Sequence, residues 1–93
     1  MRVSSFEWDR EKAAANIRKH GIDFRDAVRV FGALHFVYRS DRSDEERYVT
    51  VGPIDDRIIA VVWTPREDQV RRIISARRAR DVEKRHYRQS QGR

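Results

Sequence analysis

Ile58-Ile59-Ala60-Val61-Val62-Trp63 is the longest apolar run in this 93-residue chain, and no polar residue interrupts it. A strand with that texture has both faces covered, so it must sit inside a sheet with packed layers on either side. Six residues fall far short of the ~20 needed to span a bilayer. Around this strand, Leu34 to Tyr38 and Tyr48 to Ile54 are rich in β-branched and aromatic residues, and acidic loops and an Asp55-Asp56 turn separate the runs. This texture predicts an antiparallel meander, which Val70 to Ala76 extends by one more strand.

Helical signals flank the meander. Arg2 to Phe6 reads as a short edge strand, after which Asp9 has the side chain of an N-cap. Glu11 to Lys19 carries Ala13-Ala14-Ala15 toward a stop at Gly21. Asp23 and Asp26 open a second helix, with Ala27, Val30 and Phe31 at helical spacing before Gly32. From Arg78 the spacing of Ala79, Val82, Glu83, His86 and Tyr87 predicts a terminal helix. The expected fold is therefore α+β, a single small domain over residues 1–88, followed by a basic, polar, disordered tail at 89–93. A chain of this length buries roughly 60–65% of the surface its unfolded form exposes, too little for a large enclosed active site.

Charge is distributed unevenly. Met1 to Trp63 balances eleven Lys/Arg against eleven Asp/Glu, while Thr64 to Arg93 holds ten against four, which accounts for the whole net charge of +6. Such a surface favours polyanions, nucleic acid first, or an acidic protein. No cysteine is present, which excludes disulfides and thiolate metal clusters and fits a reducing compartment. The N-terminus has no apolar signal segment, so a soluble cytoplasmic protein with no membrane partner is expected. There is no Gly-rich phosphate loop, no HExxH, no Cys/His metal spacing and no nucleophile elbow; no metal or cofactor is expected.

What remains is a set able to bind phosphate, move protons and stack on bases: Lys19, His20, Arg47, Trp63, Arg72, Arg77, Glu83, His86 and Tyr87. Those are the needs of an RNA-cleaving site, because RNA carries its own nucleophile in the 2′-hydroxyl. Arg71-Arg72-Ile73-Ile74-Ser75-Ala76-Arg77-Arg78 mixes guanidinium forks with enough apolar residues to be packed, and marks Arg72 and Arg77 as phosphate binders. Arg71, Arg78 and Trp63 are further candidates for RNA contact. An ordinary structural role competes with each. Lys19 and His20 suit a helix C-terminus, Trp63 suits a core, and Arg47 can pair with Glu45 or Glu46. Glu83 can make intrahelical contacts, and His86 and Tyr87 can close the core.

Phe6-Glu7-Trp8-Asp9, then Lys12, Asn16, Lys19-His20-Gly21, Phe24, Ala27 and Val30-Phe31, resembles the opening of the BrnT family of type II toxins. Glu46-Arg47, Gly52, Val61-Val62 with Thr64 and Arg66, and Arg72 to Ala79 with Glu83 and Tyr87 resemble its second half, so the likeness runs from Phe6 to Tyr87. The resemblance implies a RelE-like fold and a metal-independent endoribonuclease whose cleavage of RNA arrests growth. It also implies neutralisation by a DNA-binding, BrnA-like antitoxin, and repression of the shared promoter through that antitoxin. By position, the implied catalytic residues are Lys19, His20, Arg47, Arg72, Arg77, Glu83 and Tyr87, with Lys19 or His20 as proton donor or acceptor. Glu83 would either orient an arginine or serve as base. A non-catalytic nucleic-acid-binding or antitoxin-binding module of the same fold is the alternative, since charge supports both.

Overall fold

The computed structural model describes residues 5–42 and 44–91. The chain runs β1 (Ser5–Glu7), α1 (Arg10–His20), α2 (Phe24–Ala27), a 3-10 turn (Val28–Gly32), β2 (Phe36–Ser40), β3 (Arg47–Ile54), β4 (Arg57–Pro65), β5 (Val70–Arg78) and α3 (Asp81–Gln91). One five-stranded sheet has the order β1-β5-β4-β3-β2. Strands β2 to β5 form the expected antiparallel meander, and β1 closes the edge by pairing parallel to β5.

Local chemistry explains the boundaries. The Asp9 side chain accepts from the Lys12 N–H at 2.9 Å, capping α1, and Gly21 takes a left-handed φ of 71° so that its N–H reaches the Ile17 carbonyl. Asp23 caps α2 in the same manner, but that helix is a single turn that tightens into the 3-10 segment, shorter than its spacing predicts. The left-handed turn residue between β3 and β4 is Asp55, with φ 54°. Of the predicted edge strand, residues 2–4 lie outside the described residues, and the observed strand is Ser5–Glu7.

The chain end differs from the expectation in two places. The predicted helix does not start at Arg78, because Arg77 and Arg78 continue β5 and pair with Ala60 and Ile59; α3 begins only at Asp81. It then extends through Gln91, so residues 89–91 of the expected tail are helical, and 92–93 lie outside the described residues.

Strand β4 is central and covered on both faces, as its apolar run requires. Ile59 and Val61 join Ile73 and Ala76 under Ile22, Phe24, Ala27 and Val30 on the face carrying α1 and α2. Ala60 joins Val49, Val51 and Ala79 on the other, with Phe36, Val62 and Tyr87 packed around them. Burying each of the larger side chains contributes roughly 1.5–3 kcal/mol. A buried Asn16 ties α1 to the sheet: its amide donates to the carbonyls of Ile22 and Ala76, both at 2.9 Å, and accepts from the Ala76 N–H at 3.1 Å. Helix α3 covers only part of the second face, and the rest of it lies open toward β2 and the β4–β5 hairpin. Among the described residues, no helix is long and apolar enough to cross a membrane.

Candidate active site

Strand alternation decides which side chains meet. Pairing with Ala60 turns Arg77 toward the face that carries α3, and the short link through Ala79 and Arg80 brings the first turn of that helix back over it. Glu83, 3% exposed, there accepts from four donors. Arg77 binds it in fork geometry, Nη1 to Oε1 at 2.8 Å and Nη2 to Oε2 at 2.9 Å. The Arg80 N–H donates to Oε1 at 2.7 Å, a helix-capping contact from the third position of α3 back to the residue before it. The Tyr38 hydroxyl donates to Oε2 at 2.5 Å.

Electrostatics follows from these partners. Burial by itself would raise the Glu83 carboxyl, but the Arg77 fork, the Arg80 N–H and the Tyr38 hydroxyl outweigh it and hold the group at about 2. Arg77 is pushed above its ordinary value, chiefly by its hydrogen bonds to Glu83. Tyr38 is also raised, first by burial and then by donating to an ionised carboxylate. Glu83 is therefore a fixed anion with both oxygens occupied. Its two oxygens hold the Arg77 guanidinium in place.

Beside this pair, the uncovered part of the sheet forms a groove of about 570 Å³ whose polar lining includes Tyr38, Arg39, Arg47, Ser75, Arg77 and Arg80. Arg47 reaches it from β3, and its Nε is buried without a hydrogen-bond partner. An orphan guanidinium N–H is costly to bury. Its Nη2 stands 3.5 Å from Glu45, which also approaches Arg66 at 3.9 Å; Arg66 is 3.9 Å from Glu7, and Glu7 binds Arg72 at 2.9 Å. A line of alternating charges thus leads from the groove to the β1 edge.

The residues expected from the sequence divide between the two faces. Arg47 and Arg77 share the groove, and Glu83 stands behind Arg77. Arg72 points to the same face but at the opposite end of β5, occupied by Glu7, so it does not converge with Arg77. Tyr87 packs under α3 and donates to the Leu34 carbonyl at 3.3 Å. Lys19 and His20 end α1, whose helix lies against the other face; among the described residues no hydrogen bond or ion pair joins them to the Arg77–Glu83 pair. Trp63 and Arg71 also lie on that far face: the indole N–H donates to Thr50 Oγ1 at 2.8 Å, and the Arg71 guanidinium sits 4.9 Å from the Phe31 ring and 5.1 Å from that of Trp63. Arg78 is exposed beside Asp56 and Arg88.

Tyr38, Arg39 and Arg80 escaped the sequence reading. For Tyr38 no local signal exists, because its partner is 45 residues away. For Arg80 the spacing to Glu83, the second half of a capping box, was the available cue. No group of three His, Cys, Asp or Glu side chains placed to hold a metal occurs among the described residues.

Comparison with known proteins supports the fold. No curated protein matches the chain. The crystal structure of the Brucella abortus ribonuclease toxin, BrnT, is similar at a TM-score of 0.70 and 30% identity, over 85% of this chain and 100% of that one. Residues 8–83 match the family described as the ribonuclease toxin, BrnT, of type II toxin-antitoxin systems, and the chain belongs to that family.

Proposed function

We propose that this protein is the toxin of a type II toxin-antitoxin pair and that its groove binds RNA and cleaves it through the 2′-hydroxyl, without a metal. The observation that carries the reading is Arg77, locked by the buried Glu83 at the wall of a groove that also holds Arg47 and Arg80. A scissile phosphate seated there meets the solvent-facing parts of the Arg47 and Arg77 guanidinium groups, whose side chains are 33% and 16% exposed. Attack by the 2′-oxygen on phosphorus, its hydroxyl proton passing to solvent, breaks the bond to the 5′-oxygen of the next nucleotide, which leaves as a hydroxyl with a proton from solvent, and a 2′,3′-cyclic phosphate remains. Charge on the phosphorane falls between these fixed guanidinium groups. Preorganised donors of this kind contribute about 2.7–4 kcal/mol each to a transition state. The proton-transfer roles considered for Lys19, His20 and Glu83 have no place in this reading, the first two because they stand on the other face and the third because its oxygens are filled.

A DNA-binding, BrnA-like antitoxin would neutralise the toxin and carry the complex to its own promoter, in the cytoplasm, the cationic groove taking acidic antitoxin residues in place of RNA. One observation favours a non-catalytic binding module instead: Glu83, the buried carboxylate beside Arg77, cannot accept a proton while four donors hold it. Antitoxin-free protein incubated with a defined RNA in excess EDTA decides between the two, with Arg47→Ala and Arg77→Ala as controls. Discrete cuts by the parent alone, ending in 2′,3′-cyclic phosphate, support the ribonuclease. RNA that is retarded but never cut, with or without ribosomes, gives the lead to the binding module.

A further inference from the structure

On the far side of Tyr38 and Arg80 from the groove lies a second cavity, about 350 Å³, between β2 and α3. Its walls are Phe36, Tyr38, Arg80, Val82, Glu83 and His86. The Phe36 and Tyr38 rings lie nearly parallel, 28° apart with centroids at 6.2 Å, and His86 leans over Phe36 at 6.3 Å. Val82 is 51% exposed and Tyr38 37%. Carbon therefore faces solvent here beside a groove lined by arginines, which is an uncommon place to leave aromatic rings uncovered. Two of the six wall residues, Tyr38 and Arg80, also line the groove, so the cavities are neighbours along one track.

We infer that this cavity is a nucleobase pocket: one base of the RNA, splayed out from the strand, slots between the Val82–His86 side of α3 and the Phe36–Tyr38 rings while its phosphate lies at Arg80 and Arg77. The inference deepens the ribonuclease reading and rests on it. Single-stranded RNA is held by just this combination, a cationic track for the backbone and aromatic or apolar faces for unstacked bases. The polar atoms of the pocket are largely spent internally, since the Tyr38 hydroxyl and both Glu83 oxygens bond one another or Arg77 and Arg80. Arg80 and His86 are left at the rim to read a base edge. Discrimination at this position therefore comes from ring stacking and one cationic donor, which favours an acceptor-bearing edge.

Val82 gives a clean test because it is exposed on a helix surface and its side chain carries no polar group, so Val82→Trp fills the pocket without opening the core. Non-cleavable 2′-deoxy-substituted oligonucleotides, each with one abasic position in turn, are titrated against parent and V82W. In parallel, 2′-hydroxyl oligonucleotides are scored for cleavage and for the cognate antitoxin's ability to bind each protein. The expected result is one position at which removing the base weakens binding to the parent roughly tenfold, and at which V82W no longer distinguishes base from no base. RNA that is cut but shows no position-specific base dependence in the parent overturns the pocket and leaves the ribonuclease intact. Base-dependent binding without cleavage upholds the pocket and removes the ribonuclease. Unchanged RNA behaviour in V82W with loss of antitoxin binding assigns the cavity to the protein partner and overturns the proposal, and absence of any RNA binding overturns both readings.

Discussion

Four donors converge on one buried carboxylate at Glu83, and removing any of them has an effect of a different kind. Glu83→Gln keeps the size but removes the charge that fixes Arg77, leaving a half-buried guanidinium without its anion; breaking such a pair costs roughly 3–5 kcal/mol. Urea unfolding should show that loss, while Tyr38→Phe, which removes one hydroxyl donor, should cost only about 0.5–1.5 kcal/mol. Acid makes the same point reversibly. The carboxyl titrates at about 2 in the folded protein against an ordinary 4.5, so the unfolded chain binds the extra proton first as pH falls. The stabilisation is complete above pH 4.5, is lost progressively as pH falls toward 2, and is on the order of 3 kcal/mol. Unfolding free energies measured across that window should slope upward with pH in the parent and lie flatter in E83Q; parallel curves would remove Glu83 from the acid response. At this scale the sequence disclosed Glu83 and Arg77 as candidates and left Glu83 either to orient an arginine or to serve as base, without saying which arginine it meets. It gave no sign of Tyr38, whose hydroxyl arrives from a strand 45 residues away.

Between elements, two contacts carry the architecture. Asn16 links α1 to β5 through the Ile22 carbonyl and both backbone groups of Ala76, so Asn16→Ala leaves buried amide groups without partners. A loss of roughly 2–3 kcal/mol is expected in denaturant titration, against about 1 kcal/mol for Asp9→Ala, which removes only the cap of the same helix. Strand β3 passes close under the start of β2: a Cβ built on Gly52 would stand 3.1 Å from the His35 Cβ and 3.3 Å from the Leu34 carbonyl oxygen. His35 has little room to yield, since its ring nitrogen is held to the Ala33 carbonyl at 2.7 Å. Gly52→Ala should therefore destabilise by about 1–3 kcal/mol, read as a lowered melting temperature. The elements themselves were largely legible, because periodicity, caps and turns are local signals. Their ends were less so: β5 runs on through Arg77 and Arg78 because the register with β4 offers partners there. That pairing no propensity reports.

For the whole molecule, charge is the property with a measurable consequence. Arg47, Arg77 and Arg80 line one groove, and each phosphate neutralised on a single strand contributes about −0.7 to the slope of log K against log salt. RNA affinity should then fall with a slope of roughly −2, and Arg80→Ala, which keeps the backbone N–H contact to Glu83, should flatten it by about 0.7, as followed by fluorescence titration at several salt concentrations. Composition located the cation excess in the last third of the chain, but Arg47 comes from the balanced part, so the groove is not simply the basic segment it resembled in one dimension. What the sequence determined by itself was the α+β order, a central strand covered on both faces, the kinship with ribonuclease toxins and an attraction to polyanions; each depends on residue type and near-neighbour spacing. Only the tertiary structure decided which candidates meet. Alternation along β5 and a bulge between its Val62 and Trp63 partners send Arg77 to the open face and Arg71 to the aromatic one. The packing of α1 on the far face separates Lys19 and His20 from the groove, because which side of a sheet a helix covers depends on contacts tens of residues apart.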